Sequence, residues 1–303
     1  MLALDFVAGS RLRSSPSVGV MAWLAACLAC VLMMPATVLL LGPLVFGAPH
    51  VMSELRVLTQ RLPMRRQPLM LVLSPLAIMI ALRIAEQLGW DRPASSDVVL
   101  GCAALVVAAT VRSGDTLDRV ARLLVVTGLS VFALYDTRLT TLLLAHLHNL
   151  IAVVFLIAWS RSRSGVRAHS TLVVGAVAVV AVLLVAPTPG APSAFVTDLR
   201  FALAPGLSAA LGYKLVLVYA FAQLLHYVIW LVWMPRLQRA EVNGDGRLGW
   251  FAAALIGAAL VLPMIAMLGD PVSFREQYLA LSSFHGWLEL AVLTYFGLRA
   301  HAD

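Results

Sequence analysis

The 303-residue chain is 61% hydrophobic and 12% charged, with a mean hydropathy of +0.91, whereas soluble domains carry roughly 45–50% apolar and about 25% charged residues. Such a chain needs lipid as its solvent, which excludes a water-soluble catalytic domain, and the bilayer core narrows the choice to a helix bundle or a closed barrel. The net charge of +7 does not mark a nucleic-acid binder, because the arginines sit in short loops between apolar runs, where they set orientation.

At about 20 apolar residues per crossing, the sequence reads as one integral-membrane domain over 1–303, an all-α polytopic transmembrane helix bundle of about nine spans, with eight to ten compatible. Runs such as Leu172–Val185 do not alternate as barrel strands must. After an N-terminal tail, 1–21, the spans fall near 22–46, 69–90, 97–111, 123–135, 139–159, 171–187, 214–234, 249–268 and 278–298. Val18–Met52 contains no Asp, Glu, Lys or Arg, and its breaks at Pro35, Gly42-Pro43 and Gly47-Ala48-Pro49 leave room for two short crossings. Ala22–Leu41 exceeds the about 7–15 apolar residues of a signal peptide and is read as a retained helix. Segment 186–213, with Pro187, Pro189, Pro192 and Pro205, reads as an external loop able to dip back as a re-entrant segment.

Under this count one set of loops, with the C-terminal tail, holds fourteen arginines. The other side holds seven basic residues, and Arg83 lies inside a span. The asymmetry puts the C-terminus in the cytoplasm of a bacterial inner membrane and the N-terminus outside. Arg83 and Glu86, spaced i, i+3, read as a self-neutralising structural pair. Asp136 reads as the cap of the helix that starts near Leu139. Asn243-Gly244-Asp245-Gly246 reads as a turn, because no acidic ligand follows at calcium-loop spacing. Cys27 and Cys30 sit in an apolar run, where thiols pack as small hydrophobes.

The chemistry concentrates in histidines, which are costly at membrane depth and mark functional sites there. His50, His146, His148, His226 and His285 all lie in or beside apolar runs, and all five are candidate metal ligands. Glu54 follows His50 by four residues and Glu289 follows His285 by four, so each acid shares a helix face with its imidazole and can orient it or join it at a metal. His146 and His148 are two apart, about 200° around a helix, so one is a ligand and the other a hydrogen-bonding neighbour. Asn149 and Gln223 are candidate supporting groups. Tyr219, Gln223, His226, Trp230 and Trp233 follow i, i+4, i+7, i+11, i+14 spacing. With Tyr227 and Trp287, that stripe's aromatics read as the wall of an apolar substrate pocket. Imidazoles from four helices suit non-haem iron, copper or haem, and also a proton relay.

Four ordered elements resemble the Brp/Blh family of bacterial membrane enzymes, which cleave β-carotene to retinal with one iron held by four histidines. They are Gly47-x-Pro49-His50-x-x-x-Glu54, a histidine on a middle helix, His226 on a late aromatic-rich helix, and a final His285 with Glu289. Val51 and Glu54 stand where the family has glycine and aspartate, and Trp230 stands where it has a second histidine. The resemblance implies an iron site of His50, one of His146 and His148, His226 and His285, and it does not carry the substrate over. The P-loop, HExxH and Gly-x-Ser-x-Gly patterns are absent. The leading expectation is an oxygenase-like membrane oxidoreductase with iron inside the bundle, acting on an isoprenoid or other lipophilic small molecule that enters from the surrounding lipids. A haem-binding redox protein and a proton-coupled transporter or sensor are the alternatives.

Overall fold

The computed structural model describes residues 16–61, 66–112, 114–160, 166–187, 192–234, 257, 261 and 264–296, and no strand occurs among them. The chain opens with α1 (Pro16–Met33) and α2 (Pro35–Gly42). Pro35 has no N–H to continue the first helix, so the backbone breaks at Met34 and restarts with the proline in its first turn. A π-helical stretch, Pro43–Gly47, leads into α3 (Ala48–Arg61). The expected span 22–46 is therefore two helices, and the second apolar stretch runs on to Arg56.

Next come α4 (Arg66–Gln87), α5 (Ser96–Val111), α6 (Thr116–Tyr135), α7 (Thr137–Ser160) and α8 (Val166–Val185). Then follow α9 (Ala194–Leu203), α10 (Ala209–Val228) with a π-helical end at Ile229–Trp233, α11 (Pro271–Ser282) and α12 (Phe284–Phe296). Among the described residues four stretches are long and apolar enough to cross a membrane: Pro35–Arg56, Gln67–Gln87, Thr137–Ile157 and Ala209–Trp233. Val18–Met33, Ser96–Val111 and Ser170–Val185 are apolar but shorter. The sixteen residues of α5 rise about 24 Å against a hydrocarbon layer of about 30 Å.

The expected last span, 278–298, is divided at Ser283, and α12 has only thirteen residues. Most of 249–268, and the turn at 243–246, lie outside the described residues. The loop 186–213 carries α9, which packs against α10. Asp136 caps α7 as expected, its Oδ1 accepting from the Leu139 N–H at 2.8 Å.

The charges where α4 meets α5 neutralise one another. Arg83 donates to Glu86 at 2.9 Å and also to Asp97, while Arg92 reaches Glu86 at 2.9 Å and Asp97 at 3.0 Å. The expected Arg83–Glu86 pair is thus half of a four-charge cluster joining the end of α4 to the start of α5. Close approach of the helices depends on glycine. A Cβ on Gly101 of α5 would overlap the Trp287 indole of α12, and one on Gly175 of α8 would overlap Leu24 of α1. Gly101→Ala is expected to destabilise the protein by about 1–3 kcal/mol, the usual range for overpacking. The measurement is the thermal unfolding temperature of the detergent-purified variant, and an unchanged value would mean that α5 and α12 can part freely.

Candidate metal centre

Four helices bring an imidazole to one place. His50 lies on α3 just after the π-helical stretch, His148 on α7, His226 on α10 just before its π-helical end, and His285 in the first turn of α12. The ring centroids are 5.0 Å apart for His50–His226, 5.1 Å for His50–His285, 5.3 Å for His148–His226 and 5.1 Å for His148–His285. Donor nitrogens of His50, His226 and His285 all lie within 4.8 Å of one another. Short π-helical insertions recur at functional sites because they re-aim side chains, and two of them flank this one.

The hydrogen bonds sort the nitrogens. His50 Nδ1 is 3.2 Å from the Phe46 carbonyl, His148 Nδ1 is 3.0 Å from the Leu144 carbonyl, and His285 Nδ1 meets the Ser282 carbonyl. A carbonyl can only accept, so each Nδ1 carries the proton and each Nε2 is left with a lone pair. His50 Nε2, His285 Nε2 and both nitrogens of His226 are buried without a partner of hydrogen-bond geometry, the Asn149 backbone being the polar group beside His226. Buried polar atoms are nearly always satisfied in folded proteins. Several unsatisfied lone pairs around one point form a donor set suited to a metal cation.

Two carboxylates stand beside this set. Glu289 Oε1 accepts from the Trp230 indole N–H at 3.0 Å and lies 4.0 Å from His226 Nε2. The helical spacing pairs Glu289 with His285, whereas in three dimensions it serves His226 across the helix interface. Glu54 is fully buried, within electrostatic reach of Glu289, and neither of its oxygens has a partner. Ser53 Oγ donates to the Trp230 carbonyl at 2.7 Å, locking α3 to the π-helical end of α10.

The remaining expected residues divide. His146 turns away from the other histidines: its Nε2 is 2.9 Å from the Leu203 carbonyl of α9 and its ring edge meets Tyr219. The opposing faces of α7 decide this, since two residues cannot both point inward at that spacing. Asn149 is buried and donates to the Ala145 carbonyl at 3.1 Å, and Gln223 donates to the Tyr227 hydroxyl at 3.1 Å. Tyr219, Gln223 and Tyr227 line a cavity of about 420 Å³ together with His50, His148 and His285, within the usual size of a small-molecule site.

Trp230 and Trp233 do not line that cavity. The cavity-lining face of α10 runs Tyr219, Gln223 and Tyr227, at i, i+4 and i+8, so the expected stripe leaves the cavity at His226, which turns to the other histidines, and Trp230, one turn further on that side, is the buried partner of Glu289. Trp287 packs on Gly101 and borders a second cavity of about 560 Å³. Arg275 and Tyr278 also line the first cavity; the sequence reading missed Arg275 by treating Pro271–Gln277 as loop, and took Tyr278 only as the first residue of the last span. Arg275, Tyr278 and Ser282 recur at i, i+3 and i+7, the signal that a helix starting at Pro271 would have exposed. No protein-family model, curated protein or solved structure matches the chain.

Proposed function

We propose that the chain is a polytopic membrane metalloenzyme whose four-histidine centre holds one iron ion and acts on a lipophilic small molecule lodged in the adjoining cavity. One observation carries this reading: imidazoles from four different helices converge with their Nδ1 positions tied to backbone carbonyls or, for His226, both nitrogens unpartnered. The four residues fit the iron ligand set that the Brp/Blh resemblance implies. Iron bound there supplies redox chemistry toward dioxygen. The chain holds three of the imidazoles in one tautomer, keeps Glu289 beside His226, and surrounds the occupant with the apolar side chains of Leu144, Leu199, Leu203 and Leu279.

Haem suits the geometry less well. Rings 5.0 to 6.1 Å apart on several sides of one point leave no slot for a macrocycle, so a bare ion is favoured, with copper as the alternative metal. A proton relay would not require unpartnered lone pairs gathered at one centre. We also infer that the break at Met34 adds a crossing, giving about ten. The chain before α1 then starts from the same arginine-rich side as the C-terminus, which deepens the charge asymmetry that puts this side in the cytoplasm of a bacterial membrane.

Elemental analysis of the protein purified in detergent tests the site. About one iron per chain is expected, falling to trace levels in a monodisperse His226→Ala variant. If no transition metal co-purifies or binds on titration with ferrous ion, the reading fails, and a Soret band would hand the site to haem.

A further inference from the structure

Arg275 is the one cation lining the cavity wall that is deeply buried, at 4% exposure. Its Nε donates to the Leu39 carbonyl at 2.6 Å, and the guanidinium lies 5.6 Å from the centre of the Phe195 ring. Neither contact supplies a negative charge. Both Nη groups lack a hydrogen-bond acceptor among the described residues, and no described carboxylate comes within ion-pairing distance. Glu276, its neighbour in sequence, also borders the cavity but is exposed to solvent and interacts with it only at longer range. A buried charge without a partner costs several kcal/mol, and membrane proteins retain such residues where they meet a ligand.

The surroundings of Arg275 define what would complete it. Tyr219, Tyr227 and Tyr278 gather on the same cavity wall, and the Tyr278 hydroxyl is itself unpartnered. Leu144, Leu199, Leu203 and Leu279 form the apolar remainder, and His50, His148 and His285 border the same space. The cavity therefore has a cationic, hydroxyl-bearing patch, an apolar length and a histidine-lined end. A pure hydrocarbon would leave the guanidinium unanswered. A carboxylate would accept its paired Nη–H bonds in the fork geometry that arginine favours.

We propose that the occupant is an amphipathic acid, a long-chain or isoprenoid carboxylate, whose head group is held by Arg275 while its tail follows the leucines past the histidines. This rests on reading the cavity as the substrate site of a metalloenzyme, and it narrows that reading from lipophilic molecules in general to acids. Arg275 is here a specificity-determining residue that touches the head group and takes no part in bond making.

The test is equilibrium binding of radiolabelled oleate and of methyl oleate to the full chain in nanodiscs, with metal content measured on the same samples. Wild type is expected to bind oleate at least about tenfold tighter than the ester, a ratio equal to about 1.4 kcal/mol. Arg275→Met should bind the two alike with its metal content unchanged, and Arg275→Lys should fall between, because a point charge lacks the fork. Equal binding of acid and ester by wild type, no binding of either, or selectivity retained in a folded Arg275→Met variant each overturns the proposal. If Arg275→Met does not fold, the wild-type comparison alone decides. Acid selectivity in protein that holds no metal would overturn the metalloenzyme reading and leave the anchor standing. Metal without acid selectivity would do the reverse.

Discussion

On the proposed metal site, His148→Ala is expected to abolish metal binding, whereas His146→Ala, two residues away on the same helix, leaves it in place. His148 sits 5.1 and 5.3 Å, ring to ring, from His285 and His226, and its Nδ1 is already engaged by the Leu144 carbonyl, so its Nε2 is the nitrogen left free to join the centre. His146 instead spends its Nε2 on the carbonyl of Leu203 at the end of α9. Removing a group that merely orients a ligand weakens metal binding by about 10–100-fold. Removing a ligand should exceed that, so metal content after dialysis against a weak chelator should be near zero for His148→Ala. The His146→Ala variant should keep its metal and lose some thermal stability, because the Leu203 carbonyl loses its partner and α9 its tie to α7. Equal metal loss in both variants would mean that α7 does not present its two histidines to different surroundings.

The sequence made the site's membership legible and left its geometry hidden. Histidine at membrane depth is rare enough that His50, His226 and His285 stand out from composition and hydropathy alone, and helical spacing limited His146 and His148 to one inward position. Which of the two faces inward depends on how α7 is rotated about its axis, and that is set by packing against α10 and α12 rather than by α7's own residues. The stripe on α10 is legible in the sequence as far as Gln223. Beyond it α10 turns Tyr227 toward the cavity and His226 toward the other histidines, so the spacing that groups Trp230 and Trp233 with His226 does not bring them to the cavity. The break at Met34 was half visible, since Pro35 marks it plainly, but a charge-free run of that length reads equally as one long helix or two. Arg275 was counted as a loop charge because Pro271–Gln277 is too polar to read as membrane helix. Yet α11 starts at Pro271, with Asp270 capping it through bonds from the Val272 and Ser273 N–H groups.

Glu289→Gln should weaken metal binding by about 10–100-fold while leaving the fold intact, and the reason lies in what the glutamate does on each side. Its Oε1 accepts the Trp230 N–H at 3.0 Å, a bond that a glutamine oxygen can keep. The same oxygen stands 4.0 Å from His226 Nε2, where the negative charge counts and a neutral amide does not replace it. Four neutral imidazoles leave the charge of a divalent ion uncompensated inside a medium of low dielectric, and carboxylates beside the ligands offset it. Glu54 and Glu289 are fully buried and close enough to interact, so the two, when both ionised beside a bound ion, would match the charge of one divalent cation. Glu289→Leu should do more damage, because the Trp230 N–H is then orphaned in the core, at a cost of about 1–3 kcal/mol. Metal affinity measured by competition with a chelator, alongside the unfolding temperature, separates the two variants. A purely structural Glu289 predicts wild-type metal affinity for Glu289→Gln, and that result would remove the carboxylates from the centre and leave four histidines acting alone.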